Sequence, residues 1–245
     1  MQRERIDKLL VDQGLADSRT RAQAMVMAGS VLVDEQLVDK PSVKFPANAK
    51  IRIKGRSDTD VYVGRGGVKL AAALREFALD VNGLVCLDVG ASTGGFTDCL
   101  LQHGARKVVA VDVGHNQISW KLRNDPRVEV REGVNARYLS PADFDAQFDL
   151  ATIDVAFISA TKILPAVVPL LNACGRIVTL IKPQFEVGKG EVGKGGIVKD
   201  PVQHERVIAE VNAAAELLGL NVRGVVESPI HGADGNVEFL ALYQR

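Results

Sequence analysis

The chain has 245 residues, 47% of them apolar and 24% charged, a composition that supports a packed interior and excludes global disorder. Its 30 Lys+Arg balance 30 Asp+Glu, yet residues 1–58 hold 11 basic and 8 acidic residues, so a neutral total hides a mildly basic front. Scattered Cys86, Cys99 and Cys174, a polar N-terminus, and apolar runs far short of ~20 residues argue against a disulfide framework, a metal site, a secretory signal and stable membrane insertion; the expected location is cytoplasmic.

Ile6, Leu9 and Leu10 recur at helical spacing, and Gly14 follows as a stop. A second helix is predicted from about Ser18, capped by Asp17 or Ser18, with Ala22, Met25 and Val26 inward and its end at Gly29. Val31–Val33, Asp34-Glu35 and Gln36–Val38 read as strand, turn and strand, and Ile51 and Ile53 as a further strand. The result is a small α+β module with Arg3, Arg5, Lys8, Arg19 and Arg21 along its helical part. Lys and Arg bind RNA phosphates through charge and counterion release. Glu4, Asp7 and Asp12 interrupt these cations, and charge alone favours an ordinary solvated face.

The pattern is more specific than the charge. Arg5-Ile6-Asp7, Gly14, Ser18-Arg19, Ala22, Ala28-Gly29 and Val31-x-Val33, followed by Lys40-Pro41, resemble the RNA-binding domain of ribosomal protein S-four. That resemblance implies binding of structured RNA, with Arg5, Arg19 and Arg21 as contacts. A polar linker, Gly55–Asp60, then leads through Val61-Tyr62-Val63 to Gly64-Arg65-Gly66-Gly67. Arg65 is a candidate phosphate contact there, and a plain interdomain turn is the alternative.

From Gly66 onward helices and strands alternate. A helix is predicted from Lys69 to Phe77, then strand Leu84–Val89, a glycine loop, a helix from Thr97 to His103, and strand Val108–Val111 ending at Asp112. Strands near Val128–Val130, Phe148–Ile153 and Arg176–Leu180 follow, with helices over Thr161–Leu171 and Gln203–Leu218. Strands Val222–Val226 and Val237–Leu242 close the chain with no helix between them. This pattern predicts an α/β, Rossmann-like doubly wound sheet with an antiparallel edge hairpin.

Ligands of such sheets bind at strand carboxyl ends. The loop Asp88-Val89-Gly90-Ala91-Ser92-Thr93-Gly94-Gly95-Phe96 sits there, and Asp112 ends the next strand, placed to accept from ribose hydroxyls. The spacing G-x-x-x-G-G lacks the dinucleotide fingerprint G-x-G-x-x-G and suits S-adenosylmethionine better. Gly188–Lys194 imitates a phosphate-binding loop, but Gly195 stands where Ser or Thr must hold magnesium. That segment reads as a lid beside the site or a surface loop. Asp154 and Lys182 emerge from neighbouring strand ends, Lys69 lies on the preceding helix, and Glu238 is expected inside the last strand.

Arg65-Gly66-Gly67-x-Lys69-Leu70, Asp88 through Asp98, Ile153-Asp154-x-x-Phe157-Ile158-Ser159, Ile181-Lys182-Pro183-Gln184-Phe185-Glu186 and Gly235-Asn236-x-Glu238-Phe239 resemble the TlyA family. The family joins the S-four-like module (here 1–58) to an FtsJ-like methyltransferase domain (here 59–245). The resemblance implies a ribosomal RNA (cytidine-2′-O)-methyltransferase using S-adenosylmethionine, with ribosomal RNA or subunits as partner and no DNA, which lacks the 2′-hydroxyl. The Lys-Asp-Lys-Glu tetrad falls on Lys69, Asp154, Lys182 and Glu238. Asp88, Gly90, Ala91, Ser92, Gly94, Gly95, Phe96, Asp112, Val113, Asn135 and Asp154 form the implied cofactor site. Ala156 stands where many members have Ser. The chain's end seven residues after Glu238 resembles the family's shorter form, which implies 23S rRNA before 16S rRNA. Rival readings are a non-catalytic ribosome-assembly factor, a small-molecule methyltransferase, and the haemolysin label some relatives carry, which the short apolar runs disfavour. Oligomeric state is left open.

Overall fold

Apolar residues in short runs, separated by glycines and polar turns, build the first of two units, Met1–Asp60 and Val61–Arg245. The computed structural model describes residues 3–16, 18–53, 61–188, 190–232 and 235–245. Asp17, the alternative helix cap, linker residues 55–60 and Lys189 of the predicted lid lie outside the described residues.

In the first unit, strand β1 (Arg3–Arg5) leads into helices α1 (Ile6–Asp12) and α2 (Arg19–Met27). Ser18 caps α2 by accepting from the Arg21 amide at 3.2 Å. Strands β2 (Val31–Val33), β3 (Gln36–Val38), β4 (Lys44–Pro46) and β5 (Ile51–Ile53) follow. β3, β2 and β5 form one antiparallel sheet, and β1 pairs with β4 in another. Ile6, Leu10, Ala22, Val26, Val31 and Val33 make the core. Asp34 and Glu35 both adopt positive φ, as a two-residue hairpin turn with the twist of its strands requires.

The second unit holds α3 (Gly66–Glu76), β6 (Val85–Val89), α4 (Gly95–Gln102), β7 (Lys107–Asp112), α5 (Trp120–Arg123), β8 (Val128–Glu132) and β9 (Phe148–Ile153). Then come α6 (Leu164–Val167), β10 (Leu171–Ile181), α7 (Pro183–Glu186), α8 (Pro201–Leu217), β11 (Asn221–Glu227) and β12 (Phe239–Gln244). The seven-stranded sheet runs β11-β12-β10-β9-β6-β7-β8 and is parallel from β10 to β8, while β12 lies antiparallel to both its neighbours. Alternate residues face opposite sides: Cys86, Val108, Leu150, Val178 and Leu240 pack with α3 and α4, whereas Leu87, Val109, Ala151, Ile177 and Ala241 pack with α6 and α8.

Three expectations need correction. The helix predicted over Thr161–Leu171 is a four-residue α6 between two 3₁₀ turns, because Pro165 and Pro169 lack the amide donors a continuous helix needs. The strand predicted from Arg176 starts at Leu171, with an irregular register before Arg176. Glu238 does not lie in the last strand but immediately precedes it, since β12 begins at Phe239.

Candidate active site

Strand register assembles the site. Asp154 follows β9, and its amide donates to the Val89 carbonyl of β6 at 2.9 Å, so the Gly90 loop and Asp154 lie side by side. β10 pairs Thr179 with Ile153, which carries Lys182 past the end of β10 next to Asp154. Ile181 pairs with Phe239 in the antiparallel ladder, so Lys182 and Glu238 leave adjacent strands at the same edge. Lys182 Nζ lies 2.6 Å from Asp154 Oδ1, and the contact is an ion pair without an aligned hydrogen bond. Lys69, on α3, reaches Glu238 in a second ion pair, with side chains 10% and 2% exposed. Gly66, one turn before Lys69, places its backbone close enough that a Cβ there would sit 3.7 Å from Asp154 Oδ2.

A cavity of about 450 Å³ opens beside this row. Gly90, Ser92, Asp112, Val113, Asn135 and Asp154 are among its walls. Asp112 is held by the Ser92 and Gly114 amides, each donating at 2.7 Å. A smaller cavity of about 110 Å³ shares Gly90, Ser92 and Asp154 and adds Ala91, Gly95, Phe96 and Gly66. Gly90 has φ +83, and a Cβ there would lie 2.3 Å from the Asp154 carbonyl oxygen, so only glycine fits. Of the predicted cofactor residues, Asp88 and Gly94 line neither cavity. Asp88 is fully buried and accepts from Thr97 Oγ1 at 2.7 Å and Thr152 Oγ1 at 2.8 Å. It ties β6 to α4 and β9 beneath the loop, and burial pushes its carboxyl up to about 6. Gly94 starts α4 at φ +96.

Sequence reasoning missed two participants. Phe157 has a left-handed backbone (φ +63) and a 91% exposed side chain on the cavity wall, with its ring 5.2 Å from that of Phe185. Glu186 accepts from Ser159 Oγ at 2.5 Å and the Ala160 amide at 2.8 Å, clamping the end of α7 to the loop after Asp154. Its burial raises its pKa. Glu186 and Ser159 both stand in the motifs that carry the family resemblance, but nothing in their spacing reveals that they meet.

The FtsJ-like methyltransferase family matches residues 62–245, and the S4 domain matches residues 4–51. The 16S/23S rRNA (cytidine-2′-O)-methyltransferase TlyA of Mycobacterium tuberculosis is 46% identical over 97% of this chain and 88% of its own length. The chain belongs to the TlyA family of FtsJ-like methyltransferases. The 23S rRNA (cytidine-2′-O)-methyltransferase TlyA of Campylobacter jejuni is 36% identical over 76% of this chain and 72% of its own. A solved structure of a hemolysin-labelled protein from Streptococcus thermophilus is 46% identical, covers 100% of this chain and 89% of its own, and superposes with a TM-score of 0.75. Among the described residues of this TlyA-family chain, no helix is long and apolar enough to cross a membrane.

The family's S4 module places the predicted RNA contacts unevenly. Arg5 and Arg19 both donate to Asp7, whereas Arg21 stands two positions beyond Arg19, about 200° round α2, and is exposed. Arg65, at the start of α3 in the second unit, is exposed. In the segment Gly188–Lys194, Glu191 forms an ion pair with Arg206 of α8 at 2.9 Å.

Proposed function

We propose that the chain methylates a cytidine ribose 2′-hydroxyl of ribosomal RNA, 23S before 16S, with S-adenosylmethionine as donor. Residues 1–58 grip the RNA and 59–245 carry out transfer. The observation that carries this reading is the row Lys69, Asp154, Lys182 and Glu238, three of them at neighbouring strand ends and Lys69 reaching them from α3, next to the 450 Å³ cavity. 23S rRNA is the substrate named for both TlyA relatives.

The residues fit the donor. The cavity falls within the usual small-ligand range of about 300–1,000 Å³. Asp112 offers a carboxylate to ribose hydroxyls, Gly90 leaves room that any Cβ would fill, and Val113, Ala136 and Ile163 give an apolar wall. When bound, S-adenosylmethionine supplies an electrophilic methyl group. The chain's task is to hold the hydroxyl in line and remove its proton. Lys182, in its neutral form, accepts that proton, and Asp154 holds its ammonium afterwards. Lys69 and Glu238, nearly out of water, fix the field around the sugar. The exposed Phe157 ring gives an extruded base a stacking face, and single-stranded or looped RNA is read in this way.

The test is incubation of the chain with labelled S-adenosylmethionine and either 50S or 30S subunits lacking the modification, followed by mapping of the labelled nucleotide. Label on a cytidine ribose is expected; label on a base, or none on either subunit, refutes the reading. Lys182→Ala should lower turnover at least 100-fold while cofactor affinity survives, in line with the usual worth of general base catalysis, roughly 10²–10⁴. Near-normal turnover would remove Lys182 from the mechanism.

A further inference from the structure

Asp7 is an acid inside a basic, RNA-facing module, and its side chain is fully buried. It is surrounded by donors. Arg5 grips it with Nε at 3.0 Å and Nη2 at 2.9 Å, Arg19 Nη2 lies at 3.2 Å, and Gln23 Nε2 at 2.9 Å. These bonds, Arg5 first, hold its carboxyl well below the ordinary range. Three of the four converge on one oxygen, Oδ2, so two guanidinium groups that would repel each other in solution are held side by side. Arg5 and Arg19 nonetheless remain 39% and 57% exposed. Each guanidinium carries five N–H donors in a fixed plane, and most of these are left over after Asp7 is satisfied.

We propose that Asp7 is a positioning residue for RNA binding: it locks Arg5 and Arg19 into one rigid fork whose free N–H groups receive phosphate oxygens. The inference rests on the ribosomal RNA reading above and adds the device that makes a mildly basic module bind. A phosphate takes two guanidinium groups best when they are already adjacent and oriented, because little rotamer entropy is then lost on contact. Charge counting predicts the opposite sign. Removing Asp7 raises the local net charge by one and, on that basis alone, should tighten RNA binding.

The two accounts separate in Asp7→Asn, measured in the full chain against an unmodified 23S rRNA transcript across a salt series. The fork predicts weaker binding by about tenfold, the worth of one charge-assisted hydrogen bond. It also predicts a log–log salt slope shallower by about one, the signature of one lost phosphate contact. A merely structural role would lower the melting temperature without moving the slope of the folded fraction. Arg19→Lys keeps the charge, leaves the bidentate Arg5–Asp7 contact intact, and carries the test if Asp7→Asn does not fold; it should also lose about tenfold, because an ammonium has no planar fork. Binding by Asp7→Asn as tight as wild type or tighter, or wild-type affinity in Arg19→Lys, overturns the proposal. A wild-type chain that binds the transcript without salt dependence overturns the functional reading along with it.

Discussion

Replacing Lys69 by Met should unfold the catalytic unit more easily than replacing Lys69 and Glu238 together. The pair is nearly sealed, with side chains 10% and 2% exposed. Removing one partner of such a pair leaves the other charge buried and unpaired, which costs about 3–5 kcal/mol. In a unit of this size each kcal/mol moves the melting temperature by about 2–4 °C, so Lys69→Met should melt roughly 6–20 °C lower. The double variant Lys69→Met/Glu238→Gln leaves no orphan charge and should recover most of that loss. Scanning calorimetry on the four members of the cycle gives the coupling energy directly. Both variants should be inactive in methyl transfer, so stability returns without function. A coupling below about 1 kcal/mol, or a double variant as unstable as the sum of the singles, would refute the claim that this pair is desolvated and interdependent.

Asp88 makes a pH prediction. Its folded pKa, about 6, lies above the ordinary 3.8, so the folded state binds the extra proton between those values. Its contribution therefore favours folding at low pH and is lost as pH rises from about 4 to about 6. In urea titrations, wild type minus Asp88→Asn stability should fall over that window; a flat difference would show that burial does not perturb the acid. Phe157→Gly should leave stability unchanged or up to about 1 kcal/mol higher, because glycine relieves the left-handed backbone while the Phe185 contact is lost. Its turnover on ribosomal RNA should fall about tenfold or more, as expected when base stacking worth ~1–3 kcal/mol disappears. Wild-type turnover would mean that the ring does not meet the base.

Where a strand is buried on both faces, an unbroken apolar run displays it. Phe148–Ile153 is a strand with the predicted bounds, and the runs Val108–Val111 and Leu84–Leu87 mark strands packed on both sides of the sheet. Elements held by backbone pairing leave no such trace: β1 and β4, Arg-Glu-Arg and Lys-Phe-Pro, have no apolar period to detect. Pro165 and Pro169 were visible, but apolar spacing through Ile163–Leu171 concealed how they divide the helix. Among site residues, those at strand ends were legible because topology alone brings them together. Glu186, Phe157 and the Asp7 node were not, since a buried acid or a positive φ is set by tertiary neighbours.

The pairing within the row divides its labour. Register sets Lys182 opposite Glu238, yet each lysine binds a different acid: Lys69 reaches down from α3 to Glu238, which leaves Asp154 to Lys182. The Lys182–Asp154 pair is the more open of the two, at 12% and 20% exposed, and Asp154 borders both cavities. A pair with one member, Asp154, on the cavity wall can exchange a proton with substrate or water, whereas a sealed pair can only hold its charges in place. Methyl transfer from a sulfonium to a hydroxyl creates no net charge, because the proton that leaves the oxygen carries away the positive charge that the sulfur loses. In the reaction proposed above, the open pair is the one placed to take that proton, and the sealed pair is the one placed to keep the surrounding field constant.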